Sequence, residues 1–173
     1  MMFQDEGRFG RISNPRRCRA PRGMRPGVPA QMVREYTYAY AAVSPHDGIM
    51  DSLILPEANE QAMSIFLREV SDRHAEDFIL MVMDGAGWHK ARALKVPDNM
   101  ALMFLPPYSP ELNPVEHIWG SIRKDDFSNA VFNSMEAVED QLMRSLATLE
   151  KDTAKVASMT GFPRIIGINF NAT

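Results

Sequence analysis

The chain has 173 residues, 45% of them hydrophobic and 24% charged, a balance that suits one globular domain long enough to bury a core. No apolar run approaches the roughly 20 residues of a membrane-spanning helix, and the opening "MMFQDEGRFGR" lacks the apolar stretch of a secretory leader. A lone cysteine, Cys18, excludes an internal disulfide, which suits a reducing compartment.

The net charge of −3 is unevenly spread. Residues 1–34 carry eight arginines (Arg8, Arg11, Arg16, Arg17, Arg19, Arg22, Arg25 and Arg34) against two acids, Asp5 and Glu6. The guanidinium fork matches phosphate oxygens, so the cluster is a candidate phosphate-binding surface. A solvated loop kept soluble by charge is the plainer alternative.

In chain order, residues 1–12 read as a strand, a turn at Gly7 and a second short strand. Residues 13–31 mix four prolines and two glycines with the arginines and read as loop. "YTYAYAAV" (36–43) and "GIMDSLIL" (48–55), joined by "SPHDG", predict an antiparallel hairpin. Met63, Phe66, Leu67 and Val70 recur at helical spacing behind a possible Asn59 cap. "FILMVM" (78–83) is apolar on both faces, as in a central strand covered on both sides, and "ALMFL" (101–105) reads as a second such strand. A short helix is expected over 87–95. A further helix starts near Pro114 with Val115, Ile118, Trp119 and Ile122 as its apolar stripe. The last helix runs from Ser134 to about Met159, stopped by Gly161 and Pro163. A hairpin-fed sheet continued by strand–helix–strand units is a mixed α/β sheet, in which functional groups gather at the carboxyl ends of central strands.

Three acids stand at such places. Asp5 follows the apolar start of the first strand, Asp84 ends "FILMVM", and Glu116 lies in the first turn of the helix opened by "NPVEHIW". Converging carboxylates repel one another unless a proton or a cation intervenes. Mg²⁺ and Mn²⁺ take carboxylate oxygens, and two such ions about 4 Å apart can drive displacement at a phosphodiester. Each acid also has a purely structural reading. Asp5 can be a strand-end turn residue, and Asp84 an Asp-Gly turn former. Glu116 can partner Asn113 in a capping box, with Pro114 at the first helical position. Trp119 reads as core rather than as a base-stacking residue.

The blocks "MVMDGAGWHK" and "FLPPYSPELNPVEHIWGSIRK", preceded by "FQDEGRFGR" and "APRGMRP", resemble the catalytic domain of IS630-type insertion-sequence transposases of the Tc1/mariner group. The resemblance spans roughly residues 3–127. It implies a ribonuclease-H-like α/β fold, with a mixed five-stranded sheet flanked by helices. It also implies an Asp, Asp, Glu triad of catalytic and metal-holding residues, here Asp5, Asp84 and Glu116, using Mg²⁺ with Mn²⁺ as a substitute. Family members cut DNA at transposon ends and join the 3′ ends to a target.

DNA is therefore the expected partner, met by Arg8, Arg16, Arg17, Arg22, Arg25, His89, Lys90, Arg123 and Lys124. Orienting a metal-bound water is the other role the resemblance implies for His89, and its plainer reading is a surface residue at a helix start. A homodimer is expected in the active complex, with no membrane association, in the bacterial cytoplasm near the nucleoid. The whole chain is expected to be one catalytic domain, lacking the family's N-terminal helix-turn-helix DNA-binding region. An aromatic, often tryptophan, that relatives carry near "RCRAPRG" is replaced by Arg19 in that neighbourhood, and the first strand looks clipped. Two other functions remain open on sequence: a catalytically disabled remnant that binds DNA or pairs with a full-length transposase, and a ribonuclease-H-like nuclease acting outside transposition.

Overall fold

The computed structural model describes residues 1–13, 15, 16, 19–24, 27–90 and 93–167. Five strands form one sheet: β1 (Met2–Ile12), β2 (Met32–Val43), β3 (Met50–Leu55), β4 (Ile79–Met83) and β5 (Met100–Phe104). Their order is β3-β2-β1-β4-β5. The β1–β2 and β2–β3 pairs are antiparallel, whereas β1–β4 and β4–β5 are parallel. This is the expected mixed five-stranded sheet. The helices are α1 (Glu60–Arg73), α2 (Val115–Asp125), α3 (Met135–Lys151), α4 (Thr153–Thr160) and the single turn α5 (Pro163–Ile166).

The sheet is covered on both faces, and strand alternation decides which residue meets which layer. One core joins Phe3, Phe9, Ala39, Ala41, Val43 and Val82 to Val115, Ile118, Trp119 and Ile122 of α2 and to Val138, Leu142, Leu146 and Leu149 of α3. The other joins Met2, Tyr40, Ala42, Met81 and Met83 to Met63, Phe66, Leu67 and Val70 of α1. Asn59 caps α1, its side chain accepting from the Ala62 N–H at 2.8 Å. The β2–β3 turn ends at Gly48, whose φ of +75° and backbone approach to Thr153 leave no room for a side chain.

Four expectations need correction. Residues 2–12 form one strand with no turn at Gly7, because Gly7 pairs with Ala39 inside the β1–β2 ladder. Among the described residues β5 is an edge strand with β4 as its one neighbour, and Met103 and Phe104 stay exposed. The last predicted helix is two, since Asp152 leaves helical geometry (φ −113°, ψ 70°) and its carboxylate restarts the chain by accepting from Lys155 N–H at 3.0 Å. The stretch expected as a helix over 87–95 is a single 3₁₀ turn at Gly87–Lys90, with residues 91 and 92 outside the described part.

Candidate active site

The register of β1 and β4 sets the site. Phe3 pairs with Val82 in parallel, so two residues further on Asp5 and Asp84 fall at the same level, at the carboxyl end of β4. β5 feeds the loop of residues 105–110, which is tied back by the Leu105 N–H donating to the Met83 carbonyl at 2.8 Å. The chain then enters α2 through Asn113, which is buried. Asn113 Nδ2 donates to the Gln4 carbonyl at 2.9 Å, and its Oδ1 accepts from Val115 N–H at 3.2 Å. This side chain clamps the entry to α2 to the strand residue before Asp5. The expected capping box is not formed: α2 begins at Val115 after Pro114 with no side-chain cap, and the Asn113 carbonyl, not its side chain, accepts from the Glu116 N–H at 3.3 Å. The tie to β1 still fixes the start of α2, and with it Glu116, beside Asp5.

Asp5, Asp84 and Glu116 line one open cavity of about 430 Å³, together with Gly85, Ala86, residues 105–110 and Asn113. Asp5 lies on the α2 side of the sheet. Its Oδ2 accepts from Trp119 Nε1–H at 2.9 Å. Burial, then the negative charges of Glu116 and Glu6, push the Asp5 carboxyl up to about 7, while the Trp119 hydrogen bond works in the opposite direction. Trp119 is core, as expected, and its indole also positions Asp5. Asp84 and Glu116 are exposed at the cavity.

Glu6 lies on the opposite face of β1, where His89 meets it. His89 is only 2% exposed. Its Nε2 stands 2.9 Å from Glu6 Oε1 and its Nδ1 2.7 Å from Asp84 Oδ1. Burial lowers the His89 pKa, but the Glu6 carboxylate and then the Asp84 carbonyl and carboxylate outweigh it, so the net shift is upward and the imidazolium is favoured. Asp84 Oδ1 also accepts from the Ala86 N–H at 2.9 Å. The expectation that His89 contacts DNA, or stands at the surface, is therefore corrected: its ring is enclosed and bridges two carboxylates through the sheet end. Glu6 was missed as a site residue. Its signal was present, because period-2 alternation puts an acid on a buried face of a central strand, where it needs a cation.

The expected DNA contacts are dispersed. Arg8, Arg16, Arg22 and Lys124 are exposed, with the Arg8 guanidinium stacked 4.6 Å from the Tyr36 ring centroid. Arg123 is half-buried, 5.3 Å from the Phe9 centroid. Among the described residues lining the acid cavity, none is cationic. Arg17 and Arg25 lie outside the described residues, as does the side chain of Lys90. The arginine-rich loop is pinned at both ends: Ser13 N–H donates to the Gln31 carbonyl at 2.9 Å, and Gln31 Nε2 to the Phe132 carbonyl at 3.0 Å.

Three carboxylates on one cavity, one of them raised in pKa by its neighbours, form a donor set suited to a hard divalent cation. Among the described residues, no three His, Cys, Asp or Glu side chains are grouped so as to hold one ion, and Asp84 Oδ1 is engaged by His89 Nδ1 and the Ala86 N–H. The donor chemistry of Asp5, Asp84 and Glu116 fits such an ion.

Comparison with known proteins agrees with this geometry. The model of the DDE superfamily endonuclease family matches residues 1–139. The uncharacterized protein y4pE/y4sA of Sinorhizobium fredii (strain NBRC 101917 / NGR234) is 42% identical over 105 residues, 60% of this chain and 77% of that protein. Among solved structures, the Mos1 strand transfer complex superposes with a TM-score of 0.61 at 17% identity, covering 93% of this chain and 54% of that one. The Mos1 mariner paired end complex with Mn gives 0.63 at 16%, covering 92% and 53%. The chain thus spans about half the length of these Mos1 chains and shares the fold of the part it matches. With the family model spanning β1 through the start of α3 and all three acids inside it, the chain belongs to the DDE superfamily endonucleases.

Proposed function

We propose that this chain is the catalytic domain of a transposase, cleaving DNA phosphodiesters at transposon ends and transferring the 3′ ends to a target. The observation that carries the reading is the convergence of Asp5, Asp84 and Glu116 on one cavity from a central strand, a strand end and a helix start. The matched structures, whose names describe strand transfer and paired end complexes, support DNA as the substrate. A pair of Mg²⁺ or Mn²⁺ ions held by these acids would activate the attacking oxygen and neutralise the leaving one. The protein residues supply rigidity. Trp119 fixes one Asp5 oxygen, Asn113 sets Glu116 against β1, and His89 holds Asp84 until a stronger cation competes for it. Two copies acting together on paired ends belong to the same proposal.

The test is nicking of supercoiled plasmid in Mn²⁺, which requires no recognised end sequence. Wild type is expected to nick. Asp84→Asn, matched for folding by circular dichroism, is expected to lose at least about a thousandfold in rate, as removal of a residue that acts as part of a unit does. Equal nicking by that variant would sink the reading.

A further inference from the structure

The loop of residues 105–110 carries a residue that folding does not explain. Tyr108 is 101% exposed and its φ is +57°, in the left-handed region. That conformation is disfavoured for a bulky side chain, and burial of the ring does not offset it. Tyr108 has no hydrogen bond or ring contact among the described residues. The backbone around it is braced. Pro106, Pro107 and Pro110 fix their own φ, Ser109 Oγ donates to the Pro107 carbonyl at 3.3 Å, and the loop starts from the β4 tie at Leu105 and ends in the 3₁₀ turn at Pro110–Leu112. Strain that persists at an exposed, braced position beside a site points to a function for the side chain.

The loop and Tyr108 line the acid cavity, with the small residues Gly85 and Ala86 also on its wall. Every charged residue among the described ones lining this cavity is an acid. None of these described lining residues is a cation that could grip a phosphate. What the wall offers is the face of an aromatic ring, which every base can stack on regardless of sequence.

We propose that Tyr108 stacks on an unpaired nucleobase next to the scissile phosphodiester, holding the strand while the acids act on the backbone. The proposal rests on the DNA-cleaving reading above. Tyr108 is a positioning residue whose ring face, not its hydroxyl, carries the role, and unstacking one base costs only a few kcal/mol, least where the base is already unpaired.

The probe is a forked DNA duplex with 2-aminopurine at the first unpaired position. Binding to the full chain in Ca²⁺ is read by anisotropy and stacking by fluorescence quenching; plasmid nicking in Mn²⁺ gives kcat and KM. Wild type is expected to quench. Tyr108→Ala is expected to bind the fork within about tenfold of wild type, to lose most of the quenching, and to lose about tenfold or more in kcat. Tyr108→Phe and Tyr108→Trp, which keep a ring face, restore both. Tyr108→Gly, which accepts the positive φ, is expected to melt no lower than wild type, so the losses are not unfolding.

The proposal is overturned if Tyr108→Ala quenches like wild type, if Tyr108→Phe loses as much as Tyr108→Ala, or if wild type does not quench. Failure of the underlying reading has a different signature: Asp84→Asn would then nick like wild type, while the quenching series still decides the role of Tyr108. If both hold, Asp84→Asn quenches and does not nick.

Discussion

The Trp119 indole lies over Gly7 and delivers its Nε1–H to Asp5 Oδ2 at 2.9 Å. A Cβ at Gly7 would stand 2.8 Å from both Trp119 Cδ2 and Phe9 Cε2. Both rings are locked in the core, with centroids 5.9 Å apart in an edge-to-face pair. The glycine in "QDEG" therefore exists to let an α2 side chain reach the acid two residues earlier. Gly7→Ala is expected to destabilise by about 1–3 kcal/mol through overpacking, lowering Tm by several degrees in a chain of this size. Differential scanning calorimetry checks it; an unchanged Tm would mean that the rings have room to move.

Trp119→Phe separates packing from hydrogen bonding. It keeps most of the buried ring but removes the donor to Asp5. A hydrogen bond to an ionised group is worth about 1.5–3 kcal/mol, and losing it raises the Asp5 pKa further. The acid limb of the pH–rate profile for plasmid nicking is expected to move to higher pH, and a profile that superposes on wild type would contradict this.

His89 sits between Glu6 and Asp84 with side-chain exposures of 1% for His89 and 8% for Glu6. His89→Ala removes the Nε2 partner of the Glu6 carboxylate, and breaking a buried pair costs about 3–5 kcal/mol. Glu6→Gln in the His89→Ala background is expected to recover part of that loss, because the buried charge that His89 faced is gone. Urea denaturation of the two single variants and the double variant measures the coupling; additive losses would show that the pair is not coupled.

The metal-free protein is expected to lose stability as pH rises. Burial and neighbouring charges push the folded Asp5 carboxyl up to about 7, from an ordinary 3.8. Between those values the folded state holds a proton that the unfolded state has released, so raising the pH favours unfolding. His89, raised in the folded state, contributes in the same direction, since its stabilisation is present at low pH and fades as pH rises through its folded pKa. The Asp5 part alone is on the order of a few kcal/mol. Thermal melts in chelator from pH 5 to 8 should show falling Tm, with a flatter slope for Asp5→Asn.

Most elements were legible in the sequence because hydrophobic period and turn chemistry are local signals, and Asn59 and the α2 stripe announced themselves this way. The three acids each had a structural reading as well, and it was the resemblance of "MVMDGAGWHK" and "NPVEHIW" to a known family that joined them into one site. What escaped was relational. Gly7 looked like a turn because nothing in "DEGRFG" says that an indole 112 residues later covers it. "ALMFL" looked central because composition cannot tell an apolar edge from an apolar interior. The break at Asp152 was hidden because α3 and α4 share one long amphipathic pattern, and an aspartate inside it reads as a surface position as readily as a cap. His89 read as exposed because its two carboxylate partners lie on different elements, one of them 83 residues away.

The central claim is that Asp5, Asp84 and Glu116 act as one cation-holding unit. Calorimetric titration of Mn²⁺ into the full chain tests it most directly, beside Asp84→Asn and Asp5→Asn variants whose folding has been verified. Saturable binding in wild type that is lost in both variants is the expected result, with Asp84 released from His89 as the metal enters. Binding of equal strength in wild type and both variants, or none in wild type, would contradict the account.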